Sequence, residues 1–341
     1  MEYFYAPDLH STLTLIIAPP AWGKTYRLLE LFRQRPEVLY VFVSPLRALA
    51  NEFHQKICSE FQTLLIENNQ SWMSFCGIEQ VIIATPETLV GRLSFQENLF
   101  RPVLFILDEF HLYSYWGTTF RECMWESMIE IALTGKPMLA MTATFGEKEE
   151  LFFQEQFQNQ IEQIIKINYG NQTLLYPPKK KFYVFSHMKK NIRDFVLFEL
   201  EKKQTGTVLF FVQYRKQVEL YEKLFSDCGY QVLSCVGGEA EEFSQKLKHT
   251  SAPNLIIATT VLSHGVNLPK ISCILFSYEV QNFDFWIQMV GRGGRKGESY
   301  NLYTFDPEQI SRWSKLKSLV KLHWILMISH LSPWEAFANE D

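Results

Sequence analysis

Leu104-Phe105-Ile106-Leu107-Asp108-Glu109-Phe110-His111 decides how this 341-residue chain is read. Four apolar residues in a row predict a strand buried on both faces, the position of a central strand in a parallel sheet. The run then stops at two carboxylates and a histidine. Ligands of open α/β sheets gather beyond the carboxyl ends of the strands, so Asp108 and Glu109 stand where a ligand is bound. An Asp-Glu pair alone is most often a solvated turn. Here the upstream sequence outweighs that reading.

Thr12–Ile17 is β-rich and leads into Ala18-Pro19-Pro20-Ala21-Trp22-Gly23-Lys24-Thr25, after which a helical pattern begins at Tyr26. Strand, loop, lysine and helix form the context of a phosphate-binding loop. Loop N–H groups and the helix N-terminus face the phosphates, Lys24 reaches the terminal ones, and the Thr25 hydroxyl binds magnesium. Ala18 departs from the glycine that opens G-x-x-x-x-G-K-[ST]. Further strands repeat the design. Val38–Val43 runs into Ser44-Pro45-Leu46-Arg47, Val81–Ala84 into Thr85-Pro86-Glu87, and Met138–Met141 into Thr142-Ala143-Thr144. Strands alternating with helical segments predict βαβ units and a parallel sheet.

Composition bounds the rest. The length predicts two domains, and 47% hydrophobic with 21% charged residues predicts a folded chain. A net charge of -4 gives no global support for nucleic-acid binding, so any such surface is local. The six cysteines are scattered without a CxxC pair, which speaks against a zinc site or disulfide framework and suits a reducing compartment. No leader pattern or membrane-spanning run is apparent, and a cytoplasmic protein is expected.

In the second half, Thr207–Val212 and Leu255–Ala258 read as strands, the latter leading to Thr259-Thr260 and then Gly265-Val266-Asn267-Leu268-Pro269. Gln288-Met289-Val290-Gly291-Arg292-Gly293-Gly294-Arg295 follows. Two arginines three apart after a helix can lean toward a phosphate and stabilise charge on the transferring group. Glu147 to Gln163 reads as a helix. Lys179-Lys180-Lys181 reads by default as a solvated charge run. Residues after Glu308 read as an amphipathic cap in which Arg312, Lys315, Lys317 and Lys321 interleave with Trp313, Leu316, Leu319 and Val320.

Taken in order over residues 11–305, these segments resemble the motifs of a superfamily 2 helicase of the DExH kind. Its usual loop reads A-x-x-G-x-G-K-T, so Ala21 stands in for a glycine. The resemblance implies two tandem RecA-like α/β domains, each a mostly parallel sheet flanked by helices, with a short helical C-terminal tail. The expected limits are 1–165, a linker at 166–180, 181–306, and the tail at 307–341. It implies ATP and Mg2+ as cofactors, held by Ala18 to Thr25 with Gly265 and Asn267, and magnesium on Thr25 and Asp108. Glu109 would activate water. Lys24, Gln288, Arg292 and Arg295 would complete catalysis in a composite cleft between the domains. His111, Thr142 and Thr144 would couple the domains, and Arg47, Thr85, Pro86, Glu87, Thr259 and Thr260 would hold nucleic acid.

Within the superfamily, Asp108–Tyr113 and Gln288–Arg295 look like the CRISPR-associated type I interference helicases, in the stand-alone form of type I-D. No histidine has an adjacent Asp, so no metal nuclease is expected in this chain. Single-stranded DNA, a separate nuclease subunit and a CRISPR effector complex would then be the partners, with no membrane. Two alternatives stand beside this reading: a DExH RNA helicase, and an ATP-gated assembly factor that recruits partners without unwinding.

Overall fold

The computed structural model describes residues 11–93, 100–117, 121–157, 160–202, 206–250, 252–263, 266–305 and 312–331. They divide into two compact units, Met1–Leu175 and Tyr176–Asp341. In the first unit the order is β1 (Thr12–Ile17), α1 (Lys24–Gln34), β2 (Leu39–Val43), α2 (Arg47–Ile57), β3 (Thr63–Leu65), α3 (Asn69–Met73) and β4 (Val81–Ala84). Then come α4 (Pro86–Leu89), β5 (Val103–Leu107), α5 (His111–Gly117), α6 (Glu122–Leu133), β6 (Met138–Thr142), α7 (Glu147–Phe157) and β7 (Gln163–Asn168). The seven strands lie in the order β3-β4-β2-β5-β6-β1-β7, and every described pair is parallel.

Every residue of β2, β4 and β5 is buried, as the unbroken apolar runs require of strands covered on both faces. Helices α1 and α2 cover one face of this sheet. Leu28 and Phe32 of α1 and Phe53 of α2 pack with Ile16, Tyr40, Phe42, Leu104 and Ile106, and the Phe42 and Phe53 rings stack 3.9 Å apart. A second aromatic layer forms around Phe110, whose ring lies 6.0 Å from Phe145 and 5.4 Å from Phe153.

Two expectations are corrected here. The helix read over Glu147 to Gln163 is α7, which ends at Phe157, and Gln163 already belongs to a strand. The linker expected at 166–180 begins too early, because residues 166–168 close β7, paired with β1 along its length. β7 is a half-polar edge strand with Lys166 on it, and that pattern resembles neither a buried strand nor a clean alternation.

The second unit runs β8 (Lys180–Tyr183), α8 (Ile192–Glu201), β9 (Thr207–Phe211), α9 (Arg215–Asp227), β10 (Val232–Cys235) and α10 (Ala240–His249). It continues β11 (Leu255–Ala258), β12 (Ile271–Phe276), α11 (Phe283–Val290), β13 (Asn301–Thr304) and α12 (Arg312–Leu331). Its sheet is again parallel, in the order β10-β11-β9-β12-β13-β8. Asn282 caps α11, its side chain accepting from the amides of Asp284 at 2.9 Å and Phe285 at 3.2 Å. That sets the start of the helix carrying Gln288. Helix α12 packs on α8 and β8 with Leu322 and Ile325 fully buried, whereas Trp313, Leu316 and Val320 of the expected apolar face are exposed, so the buried stripe lies further along the helix. No described helix is long and apolar enough to cross a membrane.

Replacing Phe110 by Ala removes the centre of the second aromatic layer. The expected cost to the first unit is about 3–5 kcal/mol, read from the shift of its urea midpoint.

Candidate functional site

Register brings the ligand-suited residues together. Val43 of β2 lies beside Ala84 of β4 and Leu107 of β5, so Ser44, Thr85 and Asp108 leave the sheet at one level. Ile17 of β1 lies beside Thr142 of β6 and Asn168 of β7. Backbone bonds fix the exits: the Asp108 amide donates to Val43 O at 3.1 Å, that of Phe110 to Met141 O at 2.9 Å, and that of Ala18 to Thr142 O at 2.9 Å.

The loop from Ala18 to Thr25 turns through two left-handed residues, Ala21 at φ 66° and Gly23 at φ 93°. Glycine adopts this conformation freely; alanine does so at a cost of about 1 kcal/mol. No atom lies within 4 Å of where a side chain on Gly23 would stand. The first turn of α1 has no side-chain cap and no acidic residue, so its N–H groups and positive dipole end are available to an anion. These features fit a nucleotide's phosphates. Trp22 stacks on Tyr169 at 4.5 Å, and the Arg27 guanidinium lies 4.1 Å over the Trp22 ring.

Burial, and then the adjacent Glu109, push the Asp108 carboxyl up to about 7 against the opposing pull of Lys24. A desolvated carboxyl with a lysine in range is an environment that a divalent cation would relieve, so the residues fit magnesium as well. Glu109 itself is at φ 44°, a left-handed conformation foreign to its residue type, which marks a constrained position. Its Oε2 lies 3.6 Å from His111 Nδ1. The same nitrogen is 3.1 Å from Thr142 Oγ1. The Thr142 hydroxyl donates to Thr144 O at 2.6 Å and accepts from the Thr144 amide at 3.2 Å. With its proton committed, that hydroxyl accepts from His111, which assigns the proton to Nδ1. Tyr113 lies beneath. Burial, and then Asp108, raise its hydroxyl well above the ordinary phenol range, so it stays protonated and donates to Val43 O.

The residues expected to grip a strand are placed differently. Arg47 is exposed and donates to Glu67 O at 3.0 Å. Thr85 is buried, and its amide donates to Thr88 Oγ1 at 3.0 Å, with Pro86 opening α4. Glu87 is paired with Arg121, whose Nη1 also donates to Pro45 O at 2.7 Å. That pairing and burial act oppositely on the Glu87 carboxyl, with a net lowering. Arg121 thus ties the Ser44–Arg47 and Thr85–Glu87 segments together, a role no motif signalled.

In the second unit Gln288 is buried at the end of α11. Arg295 is exposed, its Nε donating to Gly291 O at 2.7 Å. Arg292 is only 4% exposed and donates to Val266 O at 2.9 Å, so it is turned inward. Asn267 and Thr260 are exposed and Thr259 half-buried. Gly265 lies outside the described residues.

The turn that the sequence predicts at Asn168-Tyr169-Gly170-Asn171 follows β7 directly, just ahead of the division between the units at Leu175 and Tyr176. Asn168 Oδ1 accepts from the amides of Gly170 and Asn171, both at 2.9 Å. The Asn171 side chain accepts from the Phe145 amide at 2.9 Å and donates to Phe145 O at 2.8 Å. The composition announces the turn but not the contacts that Tyr169 and Asn171 make from it.

The chain matches the family model of the DEAD/DEAH box helicase over residues 6–152 and that of the helicase conserved C-terminal domain over residues 189–297. The ATP-dependent RNA helicase DBP3 of Saccharomyces cerevisiae is 25% identical over 292 residues, covering 77% of this chain and 53% of that protein. The RecQ-like DNA helicase BLM of Xenopus laevis is 22% identical over 306 residues, covering 82% of this chain and 22% of that protein. The chain therefore spans about half the length of DBP3, and less of BLM.

Among solved structures, S. cerevisiae Dbp5 bound to RNA and ADP BeF3 superposes with a TM-score of 0.65 at 17% identity, covering 95% of this chain and 85% of that one. Mss116p bound to ssRNA and AMP-PNP gives 0.68 at 15% identity, covering 88% and 67%. The fold is two tandem RecA-like α/β domains. None of these four names refers to a CRISPR system, and the expected nuclease subunit and effector complex find no support among them.

The Asp108 carboxyl keeps its proton more tightly in the fold than in the unfolded chain. Its contribution to stability is therefore full below about pH 4 and is lost as pH rises toward 7. In magnesium-free and nucleotide-free buffer, Asp108→Asn is expected to raise Tm by about 2–4 °C at pH 8. At pH 5 the gain should be smaller, as followed by thermal melts across that range.

Proposed function

Because the chain carries the DEAD/DEAH box helicase domain and the helicase C-terminal domain of superfamily 2, we propose that it is an ATP-dependent helicase or translocase acting on single-stranded RNA. The observation that carries this reading is the continuous polar chain at the carboxyl ends of the central strands. It runs from Glu109 and His111 to Thr142 and Thr144, with Asp108 next to Glu109 and Lys24 within electrostatic range of Asp108. Lys24 and the bare N-terminal turn of α1 bind the phosphates. Thr25 and Asp108 would hold magnesium, which would supply neutralisation of the charge developing on the phosphates. Glu109 orients and deprotonates the attacking water. His111, with its proton on Nδ1, links that carboxylate to Thr142, so a change at the phosphate is felt in the 142–145 segment.

In the second unit, Gln288, Asn267 and Arg295 are the residues assigned to the nucleotide. Arg295 offers the exposed guanidinium, and Arg292 is tied to Val266 O. Arg47, Thr85, Thr259 and Thr260 contact the phosphate backbone of the strand. RNA is favoured because most of the proteins named above are described as RNA helicases or are bound to RNA.

ATPase assays with no nucleic acid, with single-stranded RNA and with single-stranded DNA test this reading. RNA is expected to stimulate turnover by about tenfold or more. Equal or greater stimulation by DNA would return the chain to the DNA-translocase reading, and hydrolysis without strand displacement would favour the assembly-factor alternative. Glu109→Gln and Lys24→Ala are each expected to lower kcat/KM by at least about a hundredfold, a loss of roughly 3 kcal/mol of transition-state stabilisation.

A further inference from the structure

The turn after β7 reaches two segments of the site at once. Tyr169 stacks on Trp22 of the phosphate-binding loop at 4.5 Å, and Trp22 is covered by the Arg27 guanidinium at 4.1 Å. Two residues later, Asn171 grips the backbone of Phe145 through both atoms of its amide. The turn has little freedom of its own. Asn168 holds two of its amides, the Tyr169 amide donates to Ile17 O at 2.8 Å, and Gly170 at φ 137° packs near Pro19. Between the points it touches lies Ala21, an alanine held at φ 66°. Left to itself, such a residue drifts toward the right-handed or extended regions and takes the loop amides with it. A ring stack on the adjacent residue opposes that drift, since Trp22 cannot leave its place without losing both Tyr169 and Arg27.

We propose that Tyr169, anchored through Asn171, is a positioning residue that holds the phosphate-binding loop in its strained binding conformation, compensating for alanine at position 21. The proposal rests on the reading of this loop as the nucleotide site and adds the residue that sets its affinity. Tyr169 touches neither phosphate nor water. Its effect falls on binding, through the loop, and leaves the hydrolytic step alone.

The test is nucleotide affinity by equilibrium titration with ADP, alongside steady-state kinetics. Tyr169→Ala is expected to weaken ADP and raise KM for ATP about tenfold, with kcat within twofold. Tyr169→Phe, which keeps the ring, should stay within twofold of the parent, and Asn171→Ala should shift KM in the same direction as Tyr169→Ala. Ala21→Gly added to Tyr169→Ala removes the need for a left-handed alanine, so it should recover at least threefold of the lost affinity. Unchanged affinity in Tyr169→Ala would overturn the proposal, as would a double variant no tighter than Tyr169→Ala or an equal loss in kcat.

Hydrogen exchange on the nucleotide-free protein separates this outcome from a failure of the functional reading. The amides from Ala21 to Thr25 should exchange at least tenfold faster in Tyr169→Ala than in Tyr169→Phe. If the parent chain binds no nucleotide, the proposed function fails, while exchange still decides whether the stack holds the loop. Equal exchange in the two variants would end the proposal.

Discussion

Level strand ends are the constraint on which the first unit depends. A parallel sheet has its hydrogen bonds evenly spaced and its carboxyl ends all at one edge, and here the register sets those ends side by side. Val43, Ala84 and Leu107 align, and Ile17 aligns with both Thr142 and Asn168. Burial enforces the register. β2, β4 and β5 are covered on both faces, and a slip of one residue would exchange the side chains of their two packed layers. The chemistry at the edge is therefore a by-product of core packing.

Polar groups at that edge are arranged so that few can move alone. Thr142 has its hydroxyl engaged with both the carbonyl and the amide of Thr144 and still accepts from His111. Phe110, between Glu109 and His111, is pinned in an aromatic layer with Phe145 and Phe153. The acidic motif and the Thr142–Thr144 segment are thus joined twice, by hydrogen bonds above and by ring packing below. Local packing, more than propensity, holds Glu109 in its left-handed conformation.

The parts readable in advance were those with strong periodicity or fixed spacing. Leu104–Leu107 announces a buried strand because nothing polar interrupts it, and Gly23-Lys24-Thr25 announces a left-handed turn opening a helix. Edge elements were not readable. β7 mixes exposed Ile164 and Lys166 with half-buried neighbours, and such a strand is specified by pairing with β1 and hardly at all by its own side chains. Nor could spacing reveal that Arg292 turns inward to Val266 while Arg295 faces out, because that choice depends on space around a turn far away in sequence. Tyr169 and Arg121 escaped for the same reason: each acts across more than thirty residues of chain.

The same β7 has a consequence for how the molecule behaves among its own copies. It closes one side of the seven-stranded sheet, and Lys166 on it is paired with Glu150 at 2.7 Å. An outermost strand that places a lysine–glutamate pair among its outward groups is a poor template for a newcomer's backbone, since docking there would strip water from both charges. Crowded chains should consequently find this flank resistant to sheet-extending self-association.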